Sequence, residues 1–122
     1  MIRVMLIEDH DLIRQVLSAA LQSEDDMEVV ACCTDGQAAI EHLGSVQPDV
    51  VVTDLSMPRV DGIGVITHLR CCRPGVPVVV LTSAPHGQQA EAARAAGAHI
   101  VLGKTSDLGA LIAAVRAAVA EA

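Results

Sequence analysis

The stretch DVVVTDLSMPRVDG, residues 49–62, contains an almost purely apolar run that ends on a carboxylate. Residues 50–53, three valines and a threonine, predict a buried β-strand because β-branched side chains pack well there. Asp54 comes next, and a Met-Pro turn follows after Leu55 and Ser56. In an open α/β sheet, ligands bind beyond the carboxyl ends of the strands. A strand that delivers Asp54 to such an edge would explain why the apolar run ends on a charge.

The composition predicts one globular domain with an aliphatic core. The 122 residues fit a single domain, and 52% of them are hydrophobic although Phe, Tyr and Trp are absent. The net charge of −7 argues against direct binding to nucleic acid or to an anionic membrane. No apolar stretch reaches the roughly 20 residues that span a bilayer. The chain begins Met1-Ile2-Arg3 without a signal-peptide cleavage site, so we expect a cytoplasmic protein.

The four cysteines form two adjacent pairs, Cys32-Cys33 and Cys71-Cys72. Neighbouring side chains on a strand point to opposite faces, so the first pair is badly placed to hold one ion. The C-x-x-C spacing of zinc sites is absent. We expect reduced, semi-buried thiols, with a redox or metal role as the alternative.

Five short apolar runs alternate with helix-like segments. The runs are rich in Val and Ile, as in strands of a parallel sheet that is covered on both faces. Between them, apolar residues recur at helical spacing; Leu12, Val16 and Leu17 belong to one predicted core-facing stripe. The alternation predicts a doubly wound parallel sheet with right-handed crossovers. The predicted strands are Ile2–Ile7, Met27–Ala31, Val50–Thr53, Val76–Leu81 and Ile100–Leu102.

Capping residues predict several helix ends. Asp61 before Gly62 predicts a turn and a helix N-cap rather than a member of the site. Ser106 predicts the N-cap of the last helix, and Gly97 predicts the C-terminal cap of the helix before it. The chain stops at residues 121–122, where the last predicted helix ends, which fits a cut before a linker.

Polar side chains follow four of the predicted strands. They are Glu8-Asp9, Asp54, Thr82 and Lys104. Because the carboxyl ends of parallel neighbouring strands meet at one edge, we expect three carboxylates, a hydroxyl and an ammonium to lie together. Such carboxylates repel each other unless a cation joins them, and all-oxygen ligation suits Mg²⁺ better than zinc or copper. A carboxylate beside Mg²⁺, a lysine and a threonine can act as a nucleophile toward phosphorus.

This pattern, with MPRVDG after Asp54 and AGAHIVLGK around Lys104, resembles the receiver domain of bacterial two-component response regulators. The resemblance covers residues 1–122. The beginning IEDHDLIR, and GK without a following proline, are most similar to the NarL/FixJ (LuxR-type) subfamily. That subfamily carries a C-terminal helix-turn-helix output domain, which is absent from this chain. The resemblance implies the flavodoxin-like (βα)5 fold with strand order 2-1-3-4-5.

The resemblance also implies the function. Asp54 would accept a phosphoryl group from a sensor histidine kinase, Lys104 would pair with that group, and Thr82 would hydrogen-bond to it and move. The protein would catalyse only its own phosphorylation and dephosphorylation, without an external substrate. Phosphorylation would change the surface of the domain, and the phosphorylated domain would form a homodimer. In the intact protein, this change would control transcription through an attached DNA-binding domain.

The implied metal ligands of Mg²⁺ are Asp9, Asp54 and the backbone carbonyl of Ser56, with Glu8 acting through water. One departure concerns signal transmission. Val101 stands where many receivers have an aromatic residue that moves with the threonine, so an aromatic switch cannot operate here.

Three other functions fit the residues less well. A receiver-like binding module that never takes phosphate would usually have lost Asp54, Asp9 or Lys104, and all three are present. A small Mg²⁺-dependent phosphatase with an aspartyl nucleophile needs an acidic residue two positions later, where this chain has Ser56. An ATPase or GTPase would need a phosphate-binding P-loop. The segment GAHIVLGKT, residues 97–105, is similar to one but has one residue too many between its glycines.

Overall fold

A five-stranded parallel sheet with helices on both faces forms the centre of the protein. The computed structural model describes residues 1–57, 59–104 and 107–121. The strands are β1 (Ile2–Ile7), β2 (Met27–Cys33), β3 (Val50–Asp54), β4 (Val78–Thr82) and β5 (Ile100–Gly103), and the helices are α1 (Asp11–Gln22), α2 (Gly36–Val46), α3 (Gly62–Cys72), α4 (Gln88–Ala96) and α5 (Leu108–Glu121). The sheet order is β2-β1-β3-β4-β5 with parallel pairing throughout, so the predicted flavodoxin-like (βα)5 fold is confirmed.

Alternate residues of the central strands face two separate hydrophobic clusters. Val52 packs in the cluster that contains Leu21 of α1 and Val115 of α5. Its neighbour Val51 packs in the cluster that contains Ile66 of α3, on the other face of the sheet. Since both faces are covered, β3 is apolar at successive positions rather than at alternate ones.

Strand β4 begins at Val78, two residues later than predicted from Val76. The intervening Pro77 has no N–H to donate to a ladder, although its carbonyl accepts a hydrogen bond from the N–H of Val51 at 3.0 Å. Strand β4 also continues through Thr82, so the threonine is the last residue of the strand rather than the residue that follows it.

The predicted core-facing stripe of α1 is wrong at two positions. Leu12 is 65% exposed and Val16 is 47% exposed, whereas Leu17 and Leu21 are buried. The apolar stripe is wider than the helix face that the sheet covers. Its outer members line an apolar groove of about 290 Å³ together with Leu108 of α5.

The predicted cap at Gly97 is confirmed, because this glycine ends α4 with a φ of 120°. Asp61 caps α3 as predicted: its carboxylate accepts a hydrogen bond from the N–H of Gly64 at 2.9 Å. The predicted cap Ser106 lies outside the described residues. At that end of α5, the carboxylate of Asp107 accepts a hydrogen bond from the N–H of Ala110 at 2.6 Å.

Replacing Asp61 by alanine should lower the free energy of unfolding by about 1 kcal/mol, because the α3 amide loses its side-chain acceptor. Asp61→Asn keeps an acceptor oxygen and should lose less. Urea unfolding followed by circular dichroism measures both. Equal losses in the two variants would mean that the carboxylate charge, rather than the cap, stabilises α3.

All four cysteines are free thiols, but the expectation that all are semi-buried is wrong. Cys33 is buried in the sheet, while Cys32 is exposed on its opposite face. Cys71 and Cys72 are exposed because they lie in the last turn of α3, beyond the buried Leu69. Among the described residues, no helix is both long and apolar enough to cross a membrane.

Candidate functional site

The register of the sheet brings four strand ends to one edge. Ile7 at the end of β1 pairs with Thr53 of β3, and Thr82 at the end of β4 pairs with Gly103 at the end of β5. The residues that complete or follow these strands therefore share the carboxyl edge. This shared edge is where open α/β folds bind their ligands.

Three carboxylates meet at this edge, and we call them the acidic cluster: Glu8, Asp9 and Asp54. Each offers one oxygen, and these oxygens all lie within 4.8 Å of one another. Glu8 is 2% exposed and Asp54 is 7% exposed, whereas Asp9 is open to solvent. The structure thus brings the predicted acidic residues together, two of them away from water.

Lys104 bridges two members of the acidic cluster. Its Nζ donates hydrogen bonds to Oε1 of Glu8 at 3.0 Å and to Oδ2 of Asp54 at 2.9 Å. Burial raises the pKa of Glu8 above its ordinary value, and the hydrogen bond from Lys104 only partly opposes this. Partial burial works against the charge of Lys104, but the hydrogen bonds to Asp54 and Glu8 prevail and raise its pKa. One ammonium therefore compensates the charge of two buried carboxylates only in part, and negative charge remains in excess.

The second oxygen of Asp54 is oriented by the backbone that follows it. Oδ1 accepts a hydrogen bond from the N–H of Leu55 at 2.7 Å, and the N–H of Ser56 lies 3.5 Å from the same oxygen. The chain then returns to β3 at Gly62, where an added Cβ would lie 2.3 Å from the backbone oxygen of Asp54. Glycine is thus required at this close approach.

Thr82 is buried at the same edge. Its Oγ1 accepts a hydrogen bond from the N–H of Ala84 at 3.2 Å, and its backbone oxygen accepts one from the N–H of Lys104 at 2.8 Å. Thr82 and Ser56 line a single cleft of about 340 Å³ between the β3–α3 and β4–α4 loops. Thr82 therefore lines a cleft that also includes the first residues of the loop after Asp54.

Val101, on β5, is partly buried and packs against the cluster of α2, α3 and α4. On β5 it pairs with Val80, two positions before the pair of Thr82 with Gly103. A valine therefore occupies the position of the aromatic residue that many receivers have, and the chain contains no Phe, Tyr or Trp.

Sequence reasoning did not single out Asp35 and Arg59, which contact each other beside the β3–α3 loop. Arg59 Nη2 lies 2.6 Å from Oδ2 of Asp35. Asp35 precedes a glycine and an apolar helical stripe, a signal that could have identified it as an N-cap. No local pattern connects it with Arg59, which is 24 residues away.

The fold and the strand-end cluster together define a receiver domain. The family model of the response regulator receiver domain matches residues 4–116, and the chain belongs to this family.

The relatives include a transcription regulator and the receiver regions of methylesterases. The transcriptional regulatory protein LiaR of Bacillus subtilis is 36% identical over 119 residues, which cover 97% of this chain and 56% of LiaR. A protein-glutamate methylesterase/protein-glutamine glutaminase of Symbiobacterium thermophilum is 40% identical over 82 residues, covering 67% of this chain and 22% of that protein. The chain thus spans from about a fifth to just over half of these curated relatives.

Among solved structures, the receiver domain of the putative response regulator NarL from Mycobacterium tuberculosis superposes with a TM-score of 0.93 at 28% identity, covering 99% of this chain and 98% of that one. A LuxR-family response regulator from Aurantimonas sp. gives a TM-score of 0.93 at 29% identity, covering 99% and 86% of the two chains. The predicted resemblance to NarL/LuxR-type receivers is confirmed.

Proposed function

We propose that this receiver domain accepts a phosphoryl group on Asp54 from a sensor histidine kinase in a Mg²⁺-dependent reaction. The observation that carries the proposal is the position of Asp54: its Oδ2 lies 2.9 Å from Lys104 Nζ, beside two further carboxylates. In the intact protein, the phosphorylated domain would control an output domain that follows residues 1–122. Transcription is the output that fits the regulator LiaR among its relatives.

The proposed reaction exchanges one bond at phosphorus. A carboxylate oxygen of Asp54 attacks, the P–N bond to the kinase histidine breaks, and a P–O bond to Asp54 forms. The ammonium of Lys104, already at Oδ2, can pair with an oxygen of the arriving group, and the hydroxyl of Thr82 can donate to another. Hydrolysis of the acyl phosphate returns Asp54 and inorganic phosphate, so no external substrate is turned over.

The residues at the carboxyl edge fit a magnesium ion. The acidic cluster has more negative charge than Lys104 can offset, and its donors are all oxygens, which Mg²⁺ prefers. Asp9, Asp54 and the backbone carbonyl of Ser56 would hold the ion. Glu8 would act through water, as the resemblance to receiver domains implies; one of its oxygens accepts a hydrogen bond from Lys104 and the other accepts one from the N–H of Asp9 at 3.0 Å. When bound, Mg²⁺ supplies positive charge that favours phosphoryl transfer to a carboxylate.

The test is to incubate the protein with acetyl phosphate and Mg²⁺ and to measure the intact mass. One phosphoryl group per chain is expected. Reduction with borohydride, followed by peptide mapping, should place it at Asp54. The proposal fails if acetyl phosphate and phosphoramidate both leave the mass unchanged, or if the label maps to another residue.

Mg²⁺ should raise the thermal midpoint of the wild type by roughly several degrees. At ten times its Kd, a ligand that binds only the folded state adds about 1.4 kcal/mol, which is enough for such a shift in a domain of this size. Circular dichroism is the suitable probe because the chain has no Trp or Tyr. Asp9→Asn should lose most of the shift, whereas Asp11→Asn should keep it, because Asp11 is exposed and pairs with Arg14. Equal shifts in both variants would place the ion elsewhere.

A further inference from the structure

Asp35 joins the start of α2 to the loop that follows β3. Its Oδ1 accepts a hydrogen bond from the N–H of Ala38 at 2.8 Å, as an N-cap does. Its Oδ2 accepts two hydrogen bonds from the guanidinium of Arg59, from Nη2 at 2.6 Å and from Nε at 3.1 Å. The N–H of Ala38 and the guanidinium of Arg59 hold the pKa of Asp35 below its ordinary range, so the pair stays charged.

Arg59 has a backbone conformation that an isolated arginine rarely adopts. Its φ is 66°, in the left-handed region, and such residues persist only where the surrounding structure holds them. A second contact lies beside the ion pair: the N–H of Gly36 donates to the carbonyl of Val60 at 3.1 Å. A Cβ on Gly36 would come within 2.1 Å of that oxygen, so α2 and the loop touch backbone to backbone.

The same loop carries the backbone next to Asp54. It leaves β3 at Leu55 and returns at Gly62, whose N–H donates to the carbonyl of Leu55 at 3.0 Å. Between these points lies Ser56, an exposed residue whose N–H is 3.5 Å from Oδ1 of Asp54. Because the Ser56 side chain is exposed, its burial cannot fix the position of the Ser56 backbone. That position depends on the path of the loop.

We propose that Asp35 and Arg59 are positioning residues, whose ion pair holds the β3–α3 loop so that the backbone of Ser56, with its N–H 3.5 Å from Oδ1 of Asp54, keeps its place beside that carboxylate. This inference rests on the proposed function, because it assigns the pair to the metal and phosphoryl site. Neither side chain belongs to the acidic cluster. The side chain of Arg59 is 62% exposed and that of Asp35 is 10% exposed, so solvent screens the pair from the arginine side. The quantities that test the positioning role are therefore measured at the site.

The test compares Arg59→Gln and Asp35→Asn with a matched control pair. The Asp35→Asn variant keeps an oxygen for the N-cap and removes the charge. The control variants are Asp26→Asn and Arg116→Gln. Arg116 also makes two hydrogen bonds to an aspartate, at 2.9 and 3.0 Å, but Asp26 precedes β2 at the opposite edge of the sheet.

Two quantities are measured for each variant. The Mg²⁺ affinity comes from the dependence of the thermal midpoint on Mg²⁺ concentration, and the phosphorylation rate comes from intact mass with acetyl phosphate. Loss of the Asp35–Arg59 pair should reduce both by about tenfold, in the range found for groups that orient metal ligands. The double variant should be no worse than either single variant, because one interaction is lost in all three. Arg59→Lys should recover part of the loss, and the control variants should match the wild type.

The outcomes separate the positioning role from the proposed function. Wild-type affinity and rate in Arg59→Gln and Asp35→Asn would overturn the positioning role alone. Equal losses in the control pair would also overturn it, because the effect would then be general. If the wild type binds Mg²⁺ but takes no phosphoryl group, the proposed function fails and the Mg²⁺ affinities still decide the positioning role. A wild type that binds no Mg²⁺ would overturn both.

Discussion

Asp54→Asn should gain no phosphoryl group under conditions in which the wild type gains one. The amide is uncharged and a poor nucleophile. Among the described residues, the hydroxyl of Thr82 has the N–H of Ala84 as its hydrogen-bond partner, which is a donor and cannot activate the hydroxyl as a base. Asp49→Asn is the matched control. Asp49 precedes the same strand, at its opposite end, where its carboxylate accepts a hydrogen bond from the N–H of Arg3 at 2.9 Å.

Intact mass with acetyl phosphate measures both variants. Asp49→Asn should be labelled like the wild type. Labelling that persists in Asp54→Asn would show that another residue is the acceptor, and the site described here would then have a different role.

The same Asp54→Asn variant should melt at a higher temperature than the wild type when metal is removed by a chelator. Glu8 and Asp54 are both buried and share the ammonium of Lys104. Removing the charge of Asp54 leaves a matched Glu8–Lys104 pair and lessens repulsion in the acidic cluster. The variant should also gain less stability from Mg²⁺. A lower midpoint without metal would mean that the Asp54–Lys104 contact outweighs the repulsion.

Lys104→Met should lower the free energy of unfolding by about 3 kcal/mol without metal, the lower end of the range for breaking a buried ion pair. The side chain of Lys104 is 26% exposed, while those of Glu8 and Asp54 are 2% and 8% exposed. Its loss therefore leaves two carboxylates near one another and away from water. Urea unfolding followed by circular dichroism measures the change.

The double variant Lys104→Met/Glu8→Gln is the control, and it should recover much of the stability because one buried charge is removed. The loss in Lys104→Met should also be smaller at about pH 5 than at about pH 8. Burial raises the pKa of Glu8 and Lys104 opposes this, so the pKa of Glu8 in the folded state should rise further without Lys104. The folded variant then binds more protons than its unfolded chain between the two pKa values, and its stability falls more than that of the wild type as the pH rises. An equal loss at both pH values would show that packing of the lysine stem, rather than charge, is responsible.

The local sequence determined the sheet and the members of the acidic cluster. Successive valines such as Val51 and Val52 predict strands buried on both faces, because neighbouring side chains point to opposite sides. The chain alternates such runs with helices, so the strands are parallel and their carboxyl ends meet at one edge. The positions of Glu8, Asp9 and Asp54 after their strands therefore sufficed to predict that they would lie together.

Tertiary packing alone decided which groups touch and which stay exposed. Leu12 and Leu17 are equivalent in the apolar pattern, yet only Leu17 is covered, because the width of the sheet and the position of α5 decide where the core ends. Lys104 bridges carboxylates 96 and 50 residues away, and Arg59 meets an aspartate 24 residues away. Hydrophobic periodicity acts over one or two turns of chain, whereas these contacts depend on distances that exist only after the strands and loops have packed.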